Sequence, residues 1–243
     1  MKRIRCGHMK FLTLLLVVIS YKSLAQPEKP KNYHRYDEKM FHFGFMLGGN
    51  VSDFTLFQKQ DIYEQYGITS IENQSQPGGQ VGPVVTMNLG TPIVRLRLIP
   101  TLSFQERFIN YQFEDSTVTG SFNNQEQVSS TSLDFPLMLQ FRTNRLNNFA
   151  AYGLVGFQYS LDLQSSAEAS QSFTDPFIKI KKSDYQGQIG GGIEFFATYF
   201  KFGIELKYSH GIFGSFIQDN TVVSRPIDNL YNRTWWISLI FEG

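Results

Sequence analysis

The stretch whose composition most suggests chemistry is GQIGGGIEFF, residues 187–196. Glycine-rich runs hold phosphates because bare backbone N–H groups can approach the anion closely. The spacing here excludes that use. Read as G-x-G-x-x-G from Gly190, the sixth position is Phe195. Read as G-x-x-x-x-G-K-[ST] from Gly187, Gly192 falls in place but Ile193 stands where lysine is required. Glu194-Phe195-Phe196 then continues a two-residue alternation instead of opening a helix. Histidine placement is equally uninformative for catalysis. Beyond the N-terminal leader the histidines are His34, ahead of the first alternating segment, His42, at the start of that segment, and His210, late in the seventh; His42 and His210 are too far apart to share a site, and no Ser/His/Asp or metal-ligand spacing singles itself out. The sequence therefore predicts no catalytic residue, no cofactor and no metal.

What remains is a set of charges on the polar side of alternating segments: Arg95, Arg97, Asp134, Arg142, Glu194, Lys201, Glu205 and Lys207. If that side faces the interior of a narrow barrel, isolated charges are costly and must pair. The expectation is arginines and Lys201 against Glu194 and Glu205 at one end, with Asp134 and Lys207 nearer the middle, in a structural role.

The elements that would position these charges are strands. From Phe41 onward the dominant period is two, and no convincing amphipathic helix occurs. Eight segments alternate: about 41–53, 79–89, 93–104, 130–142, 149–163, 185–197, 201–213 and 234–241. In the fourth, Leu133, Phe135, Leu137, Leu139 and Phe141 oppose Asp134, Gln140 and Arg142. In the eighth, Trp235, Ile237, Leu239 and Phe241 share a face. The links between segments alternate without exception. Those at 90–92, 144–148 and 198–200 are short, and those at 54–78, 106–129, 164–184 and 214–233 are long and polar. An even number of strands with short turns at one end and long loops at the other is the pattern of an outer-membrane barrel. Most segments supply the 9–11 residues or so that a spanning strand needs. The fold class expected is all-β: an eight-stranded antiparallel up-and-down transmembrane barrel over 41–243, with both termini in the periplasm. Phe149, Tyr152, Phe196, Tyr199, Phe200, Trp235 and Trp236 lie near strand ends and are expected to form interfacial girdles. The competing architecture is a soluble eight-stranded binder with its apolar face inside. A polar face carrying glycine, glutamine and charges of both signs favours lipid outside.

Composition agrees. Charged residues make up 18% and aromatics 15% of 243 residues, whereas a soluble domain carries about a quarter charged. Residues 1–25 read as a cleaved signal peptide: a basic start (Lys2, Arg3, Arg5, Lys10), a short apolar core over 11–19, and Ser23-Leu24-Ala25 before Gln26. The single cysteine, Cys6, precedes that core, so it is not a lipoprotein anchor and the mature chain has no disulfide. Losing Lys2, Arg3, Arg5, Lys10 and Lys22 takes the formal charge from +1 to −4, which argues against nucleic acid as a partner. Residues 26–40, with Pro27 and Pro30, read as a flexible periplasmic arm. Its Tyr33, His34, Arg35 and Tyr36 mix basic and aromatic character and are candidates for docking a partner; a plain linker reads equally well.

Four blocks resemble a known family. HFGFMLGGN (42–50), DFPLMLQFRTNRLNNFAAYGLVGFQYSLDL (134–163), FKFGIELKYSHGIFGSF (200–216) and NRTWWISLIFE (232–242) are similar, in order and spacing, to strands of PorT, also called SprT, of the type IX secretion and gliding systems of Bacteroidetes. The likeness covers roughly residues 33–243. It implies an outer-membrane barrel, in contact with outer-membrane lipid and with other type IX secretion components, required for protein export. The family offers no catalytic motif. Many barrels of this type end on an aromatic residue, whereas this chain ends Phe241-Glu242-Gly243. The alternatives to a secretion role are a generic small barrel that is adhesive or stabilises the envelope, and an outer-membrane enzyme.

Overall fold

Eight strand segments of the chain hydrogen-bond into a closed ring. In the computed structural model, residues 31–59, 68–113, 125–164, 178–219, 221 and 223–243 are described, so the expected signal peptide and the first residues of the expected arm lie outside them. The strands are β1 (Phe41–Gln58), β2 (Ile68–Thr91), β3 (Val94–Leu98), β4 (Thr101–Phe113), β5 (Gln125–Arg142), β6 (Phe149–Asp162), β7 (Lys179–Ile180), β8 (Ser183–Phe196), β9 (Lys201–Gly211), β10 (Phe216–Ile217) and β11 (Ile227–Glu242). β3 and β4 are one barrel strand interrupted at Ile99-Pro100, where proline offers no N–H to the ladder. Every neighbouring pair is antiparallel, and β1 pairs with both β2 and β11, which closes the ring. Closure matters because an unpaired backbone group in lipid costs several kcal/mol or so. The pair β7 and β10 forms a separate two-stranded ribbon.

The turns after β2, β5 and β8 are short, and the links after β1, β4, β6 and β9 are long. The first turn is tightened by Gly90 at φ 75°. Both Phe41 and Glu242 fall at the short-turn end, because Gly44 pairs with Glu242. Among the described residues no helix is long and apolar enough to cross a membrane; the crossing elements are strands.

Side-chain direction follows parity along each strand. On β1, Phe41, Phe43, Phe45 and Leu47 are exposed while His42 and Met46 are fully buried. On β11, Trp235, Ile237 and Leu239 point out, and Trp236, Ser238 and Ile240 point in. This is apolar-out, polar-in alternation, as lipid outside requires. The exposed apolar face is interrupted by an outward ion pair, Arg233 Nη2 to Asp53 Oδ2 at 2.6 Å, beyond which Phe57 on β1 is still exposed. Beyond it the strands run on, and the alternation inverts. Phe54, Ile68, Ile71, Ile109, Tyr111, Ile227 and Leu230 now point inward and form an apolar cluster with Ile178, Phe216 and Val223, while Asp53 and Glu72 face out. This upper part obeys the logic of a water-soluble barrel. The expected loops at 54–78 and 106–129 are therefore largely strand, with only their middles outside the described residues.

The girdle expectation needs correcting at three positions. Phe149, Tyr199, Phe200 and Trp235 are outward or exposed, but Tyr152, Phe196 and Trp236 are buried. Their parity places them in the interior, where Trp236 Nε1 donates to Ser209 Oγ at 2.9 Å.

Candidate functional site

The interior at the short-turn end holds the densest group of charges. β3 contributes Arg95 and Arg97, β5 contributes Gln140 and Arg142, β8 Glu194, β9 Lys201, Glu205 and Lys207, and β11 Glu242, all almost completely buried. Glu194 is the hub. Lys201 Nζ lies 2.8 Å from its Oε1, Gln140 Nε2 donates to the same oxygen at 3.0 Å, and Arg95, Arg97 and Arg142 stand at 3.6–3.7 Å. Glu205 accepts from Arg97 Nη1 and from the Tyr152 hydroxyl, both at 2.8 Å, and pairs with Lys207 at 3.0 Å. Glu242 pairs with Lys201 and accepts from Thr86 Oγ1, with Arg97 Nη2 at 3.7 Å. Paired burial of this kind avoids the cost of an isolated charge.

Seven of the eight charges expected to form a network thus come together. Asp134 does not join them. It accepts from Ser103 Oγ at 2.7 Å, in a hydroxyl and amide layer nearer the long-loop end that includes Ser132, Ser52, Gln105, Gln158 and Gln188. Between this layer and the charges lies an apolar group of Met46, Val84, Ile99 and Ile240. Sequence reasoning missed Glu242, Asp37 and Arg107. Glu242 had a usable signal, since it shares parity with Trp236, Ser238 and Ile240. So did the charge count: five cations against Glu194 and Glu205 leave positive charge unmatched. Arg107 falls within an expected loop; it is buried on β4, its guanidinium 4.9 Å from the Phe54 ring.

The arm supplies part of the missing negative charge. The sequence predicts a free tether over residues 26–40; the second half of that segment is instead seated in the barrel mouth. Asn32 N donates to Asn148 Oδ1 at 2.7 Å, Asn32 Nδ2 to Phe196 O at 3.2 Å, and Arg145 Nη2 donates to Asn32 O. A 3-10 turn over His34–Tyr36 follows, preceded by Tyr33 in the left-handed region at φ 50°, ψ 56°. Tyr36 enters the mouth and is fully buried. Its ring stacks on His42 with centroids 3.9 Å apart, meets Phe196 edge-on at 5.5 Å, and has Lys201 and Arg95 within 5.4 Å of its face. Its hydroxyl donates to Glu242 Oε2 at 3.1 Å. Burial, and then the nearby Glu242 carboxylate, push the Tyr36 phenol up, so it stays a donor. Asp37 Oδ1 accepts from Arg142 Nη2 at 2.9 Å and Arg95 Nη2 at 3.1 Å. Of the four arm residues singled out for docking, Tyr36 is consumed by this seat and Tyr33 packs partly against it; Arg35 is exposed, and the side chain of His34 lies outside what the structure describes.

The glycines of 187–196 have a packing role. A Cβ on Gly192 would meet Ile204 O and Tyr152 Oη, each at 2.5 Å. One on Gly190 would meet Leu206 O, and Lys207 Cα and Cγ at 2.9 Å. Tyr152 and Lys207 occupy the space, and Arg97 lies over the Tyr152 ring at 5.4 Å.

Among the described residues the barrel is thus filled in layers, with Tyr36 in the mouth at the short turns and the apolar cluster toward the long loops, beside a small polar recess lined by Gln105, Arg107 and Asp184. A family model described as outer membrane protein beta-barrel domain matches residues 24–216. No curated protein matches the chain in sequence. Similar solved structures include OprG of Pseudomonas aeruginosa, 13% identical over 84% of this chain and 93% of that one, TM-score 0.46. Another is Ail, the attachment invasion locus protein of Yersinia pestis, 13% identical over 84% of this chain and 100% of that one, TM-score 0.39. A third is the N-terminal barrel of Pseudomonas aeruginosa OprF, 10% identical over 80% and 96%, TM-score 0.32.

Proposed function

The chain belongs to the outer membrane protein beta-barrel family, and from that premise we propose that it is a non-enzymatic accessory component of type IX secretion. In this reading it serves protein export by binding other components of that system, through its long loops or its N-terminal segment. The short-turn end, with both termini, faces the periplasm, and the long loops face outward. The observation that carries the reading is the filled lumen: Tyr36 and the charged layer occupy the short-turn end, and the Phe54–Leu230 cluster packs toward the other. A polypeptide in transit has no path through such a barrel, so a role in export must be exercised by contact. The resemblance of the blocks at 42–50, 134–163, 200–216 and 232–242 points to that system in particular. His42 and His210 fit a structural role, His42 stacked behind Tyr36 and His210 hydrogen-bonded to Gly211 O.

Deleting the gene tests the proposal. Cargo of the secretion system is expected to remain inside the cell and to return to the surface on complementation. Undiminished export in the deletion strain would favour the other reading, a generic adhesive or envelope-stabilising barrel.

A further inference from the structure

We propose that the periplasmic mouth is a receptor for an acidic-aromatic peptide segment, and that the chain's own Tyr36-Asp37 fills it in exchange for the same chemistry on a partner protein. The inference deepens the partner-binding reading and rests on its assignment of the short-turn end to the periplasm.

Three observations carry it. The first is that the mouth is built from receptor parts on the strands and turns. A slot between His42 and Phe196 takes an aromatic ring. Glu242 takes the ring's hydroxyl. Arg95 and Arg142, from β3 and β5, converge on one carboxylate. The second is that the resident segment under-uses the site. Both guanidiniums reach the same oxygen, Asp37 Oδ1, through Nη2 alone. Nε and Nη1 of Arg95 and of Arg142 have no hydrogen-bond partner among the described residues, although both side chains are more than nine-tenths buried. Their nearest anion, Glu194, stands at 3.6–3.7 Å from the Nη1 atoms. A carboxylate engaging both of its oxygens would satisfy donors that Asp37 leaves idle. The third is that the seat strains the segment that fills it. Tyr33 is held at φ 50°, which a residue with a Cβ rarely adopts. A resident that is strained and incompletely bonded is one a free segment can displace. The occupant is then a peptide with an aromatic residue next to a carboxylate. A purely basic or purely apolar segment would leave the two arginines facing Glu194 alone.

The test uses the full-length chain in detergent micelles and a fluorescent peptide of residues 32–40, NYHRYDEKM. With Tyr36→Ala/Asp37→Asn in the barrel chain, the peptide is expected to bind saturably and at least tenfold more tightly than to the unaltered chain. Exchanging the peptide's aspartate for asparagine, or adding Arg95→Gln to the barrel, is expected to weaken binding at least tenfold. Absence of saturable binding to the folded variant, or equal binding of both peptides, would overturn the proposal. If the variant does not fold, a Cys6→Ser/Tyr33→Cys chain reports on the otherwise unaltered seat. Its maleimide reaction rate is expected to rise severalfold with excess peptide and to stay constant with the asparagine peptide; no change with either refutes exchange. No step reads export, so failure here leaves the secretion role standing, and failure of the deletion test leaves this site standing.

Discussion

Replacing Gly192 with alanine adds one methyl group to the barrel interior, and the structure gives the consequence in detail. The new Cβ lies 2.5 Å from Ile204 O, a backbone atom in the β8–β9 ladder, and 2.5–2.6 Å from Oη and Cζ of Tyr152. The ladder must distort locally to relieve the contact with Ile204 O, and the tyrosine ring must move to relieve the other. Overpacking of this kind costs about 1–3 kcal/mol. Moving the ring also breaks the 2.8 Å hydrogen bond from Tyr152 to Glu205. A buried bond to a charged group is worth about 1.5–3 kcal/mol. Together the loss is expected to be about 2.5–6 kcal/mol. Gly187, on the same strand but facing outward, has nothing within 4 Å of the place an added methyl group would take. Gly187→Ala is therefore expected to be neutral or to stabilise by up to about 1 kcal/mol, through the lost backbone freedom of glycine. Urea unfolding from lipid vesicles, read by the fluorescence of Trp235 and Trp236, measures both. A Gly192→Ala loss below about 1 kcal/mol, or equal effects at the two glycines, would refute the packing argument.

Other consequences concern the charged mouth. Glu242→Gln leaves Lys201 and Arg97 short of an anion, and is expected to destabilise the barrel by about 3–5 kcal/mol in the same unfolding assay. Tyr36→Phe removes the bond to Glu242 but keeps the stacking; a loss of about 1–3 kcal/mol is expected, with the heat-modifiable gel shift of a folded barrel retained. Tyr36 also sets a pH dependence. Burial, and secondarily Glu242, raise its phenol above the ordinary value, so its stabilising effect is complete below about pH 10 and declines as pH climbs above that. The stability difference between the unaltered chain and Tyr36→Phe should therefore shrink above that pH and be constant from about pH 7 to 9.

Much of this architecture is legible in the sequence because lipid enforces a strict period. The face carrying Phe135, Leu137, Leu139 and Phe141 announces β5, and parity alone assigns Arg142 and Gln140 to the interior. Parity fails as a guide where the solvent changes. Above the Asp53–Arg233 pair the apolar residues switch sides, from Phe45 and Leu47 outside to Phe54 inside. A reader expecting one phase throughout sees only irregular polar sequence, hence loops. The aromatic girdle fails for a related reason: height along the strand suggests Tyr152, Phe196 and Trp236 for it, whereas face is decided by odd or even position. The plug is least legible. A polar segment with two prolines carries no period, and nothing local tells that Tyr36 has a slot between His42 and Phe196. The surplus of cations on the strands is the available sign that further carboxylates, Glu242 and Asp37, have to come from elsewhere in the chain.

The proposed role, action by contact and not as a conduit, requires that the side chains filling the lumen leave no continuous water path. Reconstituting the purified full-length chain into planar bilayers and recording current at neutral pH tests this most directly. The membrane is expected to stay at baseline conductance across the applied voltage range. Stable ohmic steps of the size given by a water-filled pore, present with Tyr36 and Asp37 intact, would contradict it.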